Sequence, residues 1–571
     1  MVRTAGRRVA RHLEQRLLSV VAAATAVILV VLFYYPVATV FADAVLADGR
    51  LTLEPITAIL TSEFYLVDII WFTAKQAFYS TLASLALGLP AAWLFARFEF
   101  RGRETLRSLT ILPFVMPSIM VAVGFVATFG RNGTLNRALS LFGLPTVELL
   151  FTLEAIIIAH AFYNAPLVAR IVTAAWESVD ARAVETARSL GANPSRAFRD
   201  VVLPQLLPSI GVGATLTFIF TFASFPIVLA LGGFQLATIE VFVFAKVRDL
   251  AYAEAASLAV IETVISLTLT AVYLRYEATQ RAAGGTANPL PRRSVVPDTW
   301  TTKSALQTVG IAGYSVVVCL VFVVPIASML LASVTGGDGS LTLTHYAFLA
   351  ERQVTGASFQ VKPLPAIWNS LVFAVGTLLV AVPMGVTMAV LTTRQYRGRT
   401  LIDALAMAPF AVSGIVVGLG LLRGLVFGVD VFGTRIRVTG ALAIVAAHAV
   451  GAYPFVTRNV APLFSRLDGR LVESARSLGA TRTRALLDIE LPLVWTGVVA
   501  GAAFAVAISI GEFDSTIILA EGSGSFTMPV AVERLLGRRL GPATAMGCVL
   551  LVVTSLSFLV VDRFGGRWGE L

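Results

Sequence analysis

Lysine is nearly missing from this chain. Its 571 residues contain four, Lys75, Lys246, Lys303 and Lys362, and none follows a glycine. A phosphate loop of the GxxxxGK[ST] type needs a lysine directly after its last glycine, so the chain carries no such ATPase of its own. Cysteine is scarcer still. Cys319 and Cys548 stand alone in apolar runs, which gives no disulfide framework or metal motif and predicts buried packing for both. Charge is thin as well: 14% of residues are charged and 57% are hydrophobic. Soluble proteins do not set so many uncharged runs of spanning length in series, so the chain reads as a polytopic helical membrane protein.

The charge that is present is mostly arginine, and the net charge is +10. Nucleic acid is excluded as a partner by its distribution. Arginines gather at the same end of alternate spans: Arg3, Arg7, Arg8, Arg11 and Arg16, then Arg97, Arg101 and Arg103. That is positive-inside patterning rather than a continuous binding stripe. The first apolar run, from Leu17 to about Phe41, is too long for a typical signal core, although Ala42-Asp43-Ala44 resembles a cleavage site. It reads as a first helix with its N-terminus inside. Further spans fall at about 67–96, 108–130, 151–174, 205–232 and 251–277. Residues 278–303, rich in Pro, Gly, Arg and Thr, read as a linker. Six more spans follow at about 305–334, 367–393, 401–427, 438–463, 493–520 and 543–561. The expectation is an all-α protein of about twelve transmembrane helices. A first domain occupies 1–277 and a second 304–571, and both termini face the cytoplasm.

The two domains are copies. Asp180 to Pro204 reads DARAVETARSLGANPSRAFRDVVLP, and Asp468 to Pro492, 288 positions on, reads DGRLVESARSLGATRTRALLDIELP; fifteen of these twenty-five positions are identical without a gap. His160 and His448, Pro166 and Pro454, and Arg170 and Arg458 share the same offset. Six spans per copy give both copies one orientation, a parallel repeat about an axis along the membrane normal.

Each copy has the same local logic. Ala183, Val184, Ala187 and Leu190 recur at helical spacing as an apolar stripe. Arg182, Glu185 and Arg188 neighbour one another on the same helix. Gly191 stops that helix in the left-handed conformation that glycine takes at little cost. Ser195 is placed to cap a second short helix from Arg196 to Leu203, and Pro204 suits the first turn of the long helix that follows. The second copy repeats the pattern with Leu471, Val472, Glu473, Ala475, Arg476, Leu478, Gly479 and Pro492. A basic loop that only set topology would need no fixed spacing from glutamate to glycine.

Glu185, Ala187, Gly191 and Leu203-Pro204, with Glu473, Ala475, Gly479 and Leu491-Pro492, resemble the EAA loop of permease subunits in binding-protein-dependent ABC importers. The alanine usual directly after the glutamate is Thr186 here and Ser474 in the second copy, both small. The resemblance covers most of both halves and matches two fused permease domains, as in thiamine and iron(III) importers. It implies a MetI-like permease fold in the cytoplasmic membrane and no covalent chemistry in this chain. It also implies partners: two copies of an ATP-hydrolysing subunit gripping the two loops, and an extracytoplasmic solute-binding protein. No cofactor belongs to this chain, since ATP is bound by the partner subunit.

The polar residues inside a span that draw most notice are Glu512 and Asp514, in SIGEFDSTIILA. Carboxylates at membrane depth are costly and face a polar cavity or a partner. A cation pathway supplies one reason for them, and a structural carboxylate supplies another. The aligned first-half segment, FASFPIVLALGG, has Ser224 and Pro226 there, with Phe225 matching Phe513. Phe222, Phe225 and Phe513 are candidates to stack on an aromatic cation such as thiamine. FASFPIVLALGG followed by ATIE, with GEF in the second half, looks most like thiamine permeases, with iron(III) permeases close to them. A reading from another class is an ion-driven secondary transporter using Glu512 and Asp514. His160 and His448 read as hydrogen-bonded helix contacts.

Overall fold

The computed structural model describes residues 19–47, 50–109, 116–281, 289–295, 300–351, 361–522 and 524–565. Helices dominate, and the strands among the described residues are pairs two or three residues long. The first repeat contains α1 (Ser19–Val45), α2 (Phe64–Arg97), α3 (Ser118–Phe129), α4 (Leu153–Glu177), α5 (Ala181–Ser189), α6 (Pro194–Phe222), α7 (Pro226–Gly232), α8 (Ile239–Arg248) and α9 (Tyr252–Arg281). The second contains α10 (Ser304–Ser333), α11 (Pro363–Thr393), α12 (Arg399–Ala411), α13 (Gly414–Val426), α14 (Gly440–Arg466), α15 (Gly469–Ser477), α16 (Arg482–Leu493), α17 (Trp495–Gly511), α18 (Asp514–Leu519), α19 (Met528–Leu536) and α20 (Leu540–Gly565).

Nine of the described helices are long and apolar enough to cross a membrane. The number is eleven if the bent pairs α12–α13, at 96°, and α16–α17, at 74°, each count as one span. The span expected at 108–130 includes residues 110–115, which lie outside the described residues; its described remainder, α3, is short. Hydropathy registers composition and length but not bends. That is why the runs 205–232 and 493–520 read as single spans while the chain breaks each of them, after Phe222 and after Gly511.

Packing divides the chain differently from the repeat. One compact unit takes in Met1–Thr52, Leu349–Arg534 and Val549–Leu571; the other takes in Leu53–Phe348 and Leu535–Cys548. In the first unit α1 packs against α13. A Cβ on Gly420 would lie 2.5 Å from the Pro36 carbonyl oxygen, so the two backbones touch there. The Tyr34 hydroxyl donates to the Leu405 carbonyl at 2.7 Å, and Arg423 pairs with Asp43 at 2.5 Å. In the other unit α10 packs against α3 in the same manner. A Cβ on Gly124 would lie 3.0 Å from the Pro325 carbonyl oxygen, and the Tyr314 hydroxyl donates to the Leu87 carbonyl at 2.6 Å. The opening helix of each repeat therefore belongs to the unit built around the other repeat. Close backbone approach through small residues is how membrane helices gain packing when burial from water gives them nothing.

The same device sets the central crossings. Glycine at 88 admits Val168 of α4 against α2, and glycine at 385 admits Val456 of α14 against α11; a Cβ at either would sit within 2.7 Å of the valine Cβ. Gly420→Leu is expected to destabilise the protein by at least ~1–3 kcal/mol, the usual cost of overpacking. Gly310→Leu, where an added Cβ would meet no atom within 4 Å beyond its own helix backbone, is the control. Thermal unfolding in detergent compares the two.

Cys548 is buried as expected, but Cys319 is exposed. It sits on α10, a helix that keeps most of its length uncovered, and lines an open apolar cavity beside α2 and α4. An apolar neighbourhood in the sequence of a membrane span implies an apolar surrounding, and lipid supplies that as well as protein does.

Candidate functional site

Two constellations repeat in the chain: an exposed loop helix, and a hydrogen-bonded break in a long helix.

The loop helices α5 and α15 are built alike. Asp180 and Asp468 cap them, each carboxylate accepting from the backbone N–H two residues on, at 3.1 and 3.0 Å. At the other end Gly191 and Gly479 take φ of +90° and +91°. The N–H of Gly191 donates to the Arg188 carbonyl and that of Ala192 to the Ala187 carbonyl, both at 3.0 Å, and Gly479 and Ala480 do the same with Arg476 and Ala475. This is a complete Schellman cap in each copy, in the conformation that favours glycine. Ala187 and Ala475 thus supply a capping carbonyl as well as a small side chain.

The cap of the second short helix is not Ser195. Asn193 accepts the Arg196 N–H at 2.8 Å, and the helix starts at Pro194. Thr481 has the same role at 3.2 Å from the Arg484 N–H. Asn and Ser are comparable caps, and proline after Asn193 suits a first helical position. That proline was the signal in the sequence. The copies then diverge. α6 runs on as one helix from Pro194 to Phe222, whereas α16 ends at Leu493 and α17 leaves it at 74°.

Within each loop one face meets the protein and the other is free. Val184 and Ala187, like Val472 and Ala475, are half-buried, while Glu185, Arg188, Glu473 and Arg476 are exposed. Leu190 is 83% exposed and Leu478 is 89% exposed. Glu185 and Glu473 form no ion pair among the described residues. Of the apolar stripe Ala183, Val184, Ala187 and Leu190, only Val184 and Ala187 turn toward the protein; Ala183 and Leu190 are exposed. At its base the first loop is braced by Glu177, which pairs with Arg103, Arg107 and Arg292 at 3.0–3.1 Å.

The helix breaks fall at corresponding positions, with the restarts at Pro226 and Asp514 lying 288 residues apart. In the first repeat α6 ends at Phe222 and α7 begins at Pro226. His160 of α4 bridges the break: its Nε2 lies 2.9 Å from Ser224 Oγ and its Nδ1 lies 3.0 Å from Ser80 Oγ of α2. Gln76 donates to the Thr221 carbonyl at 2.7 Å, satisfying a group that the end of the helix leaves open. In the second repeat α17 ends at Gly511 and α18 begins at Asp514. His448 Nδ1 lies 2.8 Å from Ser509 Oγ, and its Nε2 lies 2.8 Å from Thr516 Oγ1 and 3.1 Å from Glu512 Oε2.

Glu512 is thus held from several sides. Its carboxylate accepts the N–H of Ser515 at 2.8 Å and that of Thr516 at 3.2 Å, and also the Thr516 hydroxyl. A carboxylate at the start of α18 meets both the unpaired N–H groups and the positive end of the helix dipole. No arginine is needed to hold it. Asp514, half-buried, lies under α13: a Cβ on Gly414 would sit 2.7 Å from the Asp514 Cβ, and one on Gly418 would sit 2.9 Å from the Ser515 Cα. The Gly414-xxx-Gly418 pair is what admits the broken strand of backbone so closely.

The aromatic candidates are packed away in this conformation. Phe222 is 3% exposed, Phe225 is 0% and Phe513 is 2%. Phe222 stacks on Phe218, and Phe225 meets Phe244 edge-on at 5.3 Å. Sequence reading missed the partners Ser80, Ser509 and Thr516, because ordinary hydroxyl residues in an apolar run carry no signal until the helices are brought together.

The family described as "Binding-protein-dependent transport system inner membrane component" matches this chain twice, at residues 84–279 and 381–569. The chain is similar to the thiamine transport system permease protein ThiP of Brucella abortus (strain 2308), at 28% identity over 503 residues, 87% of this chain and 88% of that one. It is similar to ThiP of Escherichia coli (strain K12) at 28% identity over 519 residues, 88% of this chain and 90% of that one. Among solved structures, a bacterial ABC transporter involved in the import of the acidic polysaccharide alginate aligns with 48% of this chain and 99% of its own at 18% identity, with a TM-score of 0.40.

Proposed function

Because the chain belongs to the family of binding-protein-dependent transport system inner membrane components, and is thereby a multi-pass membrane permease of an ABC importer with two fused domains, we propose that its solute is thiamine or a thiamine phosphate. The observation that carries this is the extent of the likeness: relatives named for thiamine transport match 87–88% of the chain and cover both repeats. A half-buried, hydrogen-bonded carboxylate at Glu512, with Asp514 two residues on, suits a solute whose ring is cationic. Phe222, Ser224, Phe225 and Phe513 form the rest of the two breaks. In this reading the breaks are the parts of the pathway that rearrange as solute passes.

The partners follow from the loops. α5 and α15 each present an exposed leucine and an exposed glutamate on a rigidly capped helix, the kind of surface that a groove on a rigid neighbour can grip. In our reading two copies of an ATP-hydrolysing subunit hold Glu185–Gly191 and Glu473–Gly479 on the cytoplasmic side, where both termini also lie. A solute-binding protein delivers from the other side. ATP is bound by the partner, and this chain moves rather than reacts.

The test is uptake into proteoliposomes holding this chain, its ATPase and its cognate binding protein. Thiamine, thiamine monophosphate, thiamine diphosphate and iron(III) are compared, with calorimetry of each on the binding protein. The expected result is ATP-dependent uptake of thiamine or one of its phosphates. Uptake and binding of iron(III) alone would overturn the choice of solute.

A further inference from the structure

A cavity of about 730 Å³ lies in the unit built on the first repeat, between α2, α4 and α10. Its walls are apolar: Leu87, Ala91 and Phe95 from α2, Ala169 from α4, Ile311 and Phe322 from α10. The hydroxyl of Tyr314, also in the wall, is spent on the Leu87 carbonyl. Such a site offers a polar solute nothing to bind to, and hydrocarbon fits it. Its size is within the ~300–1,000 Å³ of ordinary ligand pockets. Along α10 the wall runs from Ile311 to Leu330, a rise of about 28 Å at ~1.5 Å per residue, comparable to the ~30 Å hydrocarbon core of a bilayer.

One end of the cavity is strongly basic. Phe95, Phe100, Leu106 and Val295 line it there, and Arg97, Arg101, Arg103, Arg107, Arg292 and Arg293 are their near neighbours in the chain. The segments are held together, since Phe98–Glu99 pairs with Arg293–Ser294 as a short parallel ladder. Three glutamates answer the six arginines. Arg103 pairs with Glu104 and Glu177, Arg107 with Glu177, and Arg292 with Glu99 and Glu177. Arg97, Arg101 and Arg293 have no carboxylate within ion-pair distance among the described residues. Arg97 is half-buried, and its Nη1 donates to the Pro291 carbonyl at 3.3 Å.

We infer that this is a site for one anionic glycerophospholipid. One of its two acyl chains fills the cavity and its phosphate sits on Arg97 and Arg293. Charge complementarity selects the occupant: an apolar cavity is flanked at one end by segments whose guanidinium groups Arg97 and Arg293 have no carboxylate partner among the described residues, and basic pockets beside membrane helices take anionic headgroups. Guanidinium forks also match phosphate geometry. The site has a second consequence. The linker, which lines the cavity through Val295, also reaches the first loop helix through the Asp180–Pro289 bridge, at the residue that caps α5. The lipid therefore steadies the base of one loop helix.

Native mass spectrometry of the full chain tests this after exchange into mixed phosphatidylglycerol and phosphatidylcholine nanodiscs and release. The wild type is expected to retain one phosphatidylglycerol at least ten-fold more than phosphatidylcholine. Arg97→Gln with Arg293→Gln removes the headgroup contacts, Ala91→Trp fills the slot, and each is expected to cut that retention at least ten-fold. Arg137→Gln, an exposed arginine elsewhere, leaves it unchanged. Inorganic phosphate in excess does not displace the adduct, because it cannot use the slot. Equal retention of both lipids by the wild type, displacement by phosphate, or undiminished retention in either folded variant overturns the assignment. Should both variants fail to fold, the wild-type comparison alone decides.

Discussion

Leu190→Asp combined with Leu478→Asp abolishes ATP-driven uptake and leaves the permease folded in the membrane. Both leucines are more than four-fifths exposed in the isolated chain, so neither substitution removes a contact that holds the fold. The loop helices keep their Asp180 and Asp468 caps and their Gly191 and Gly479 ends. Burying a leucine in a partner's groove contributes roughly 1.5–3 kcal/mol. Losing two of them, and placing a charge in each groove, weakens the complex on the order of 100-fold or more. Co-purification of the ATPase, with uptake in proteoliposomes, reads the effect. Glu185→Ala with Glu473→Ala moves the same readouts in the same direction and costs no helix stability, since alanine is the better helix former. A double leucine variant that keeps its ATPase at the wild-type level would sink the docking assignment and leave the family membership untouched.

Glu512→Ala is the second large effect, and it falls on stability before transport. The substitution removes the acceptor for the Ser515 and Thr516 N–H groups and for the Thr516 hydroxyl, and it removes a neighbour of His448 Nε2. A lost cap costs about 1 kcal/mol, and buried donors left unmatched cost about 1–3 kcal/mol more. A clear fall in the thermal midpoint is therefore expected. Ser224→Ala, at the aligned break, takes no helix cap away but leaves the buried Nε2 of His160 without its hydroxyl, at a cost of about 1–3 kcal/mol. Glu512→Gln separates the two roles. It keeps the shape and one acceptor oxygen, so it restores most of the stability lost in Glu512→Ala. If Glu512 also meets the cationic solute, uptake by Glu512→Gln stays low while its midpoint recovers. Recovery of both leaves Glu512 a helix cap only. A Glu512→Ala protein that unfolds with the wild type would show that the network contributes nothing.

The breaks also show where reading the sequence stops. SIGEFDSTIILA displayed two carboxylates in an apolar run, which marked the place. Part of what holds Glu512 is local, the Ser515 and Thr516 groups, and part lies 64 residues away on α14, in His448, whose own neighbours look ordinary. His160 and His448 were correctly read as hydrogen-bonded contacts, because a lone imidazole in an apolar helix must find partners. Which partners it finds depends on helix crossings such as those that Gly88 permits against Val168 and Gly501 permits against Val456.

The sequence by itself determined the class of protein, the repeat, and the local form of both loop helices. Those rest on short-range physics: twenty apolar residues must span, aspartate must cap, and glycine must turn. Only the tertiary structure decided that the opening helix of each repeat joins the unit of the other, through Pro36 on Gly420 and Pro325 on Gly124. It also decided where the long helices break and bend. The reason is that lipid makes every apolar helix equally welcome in the bilayer. The choice of neighbour is then left to a few small residues and carbonyl groups that meet only after distant segments have come together.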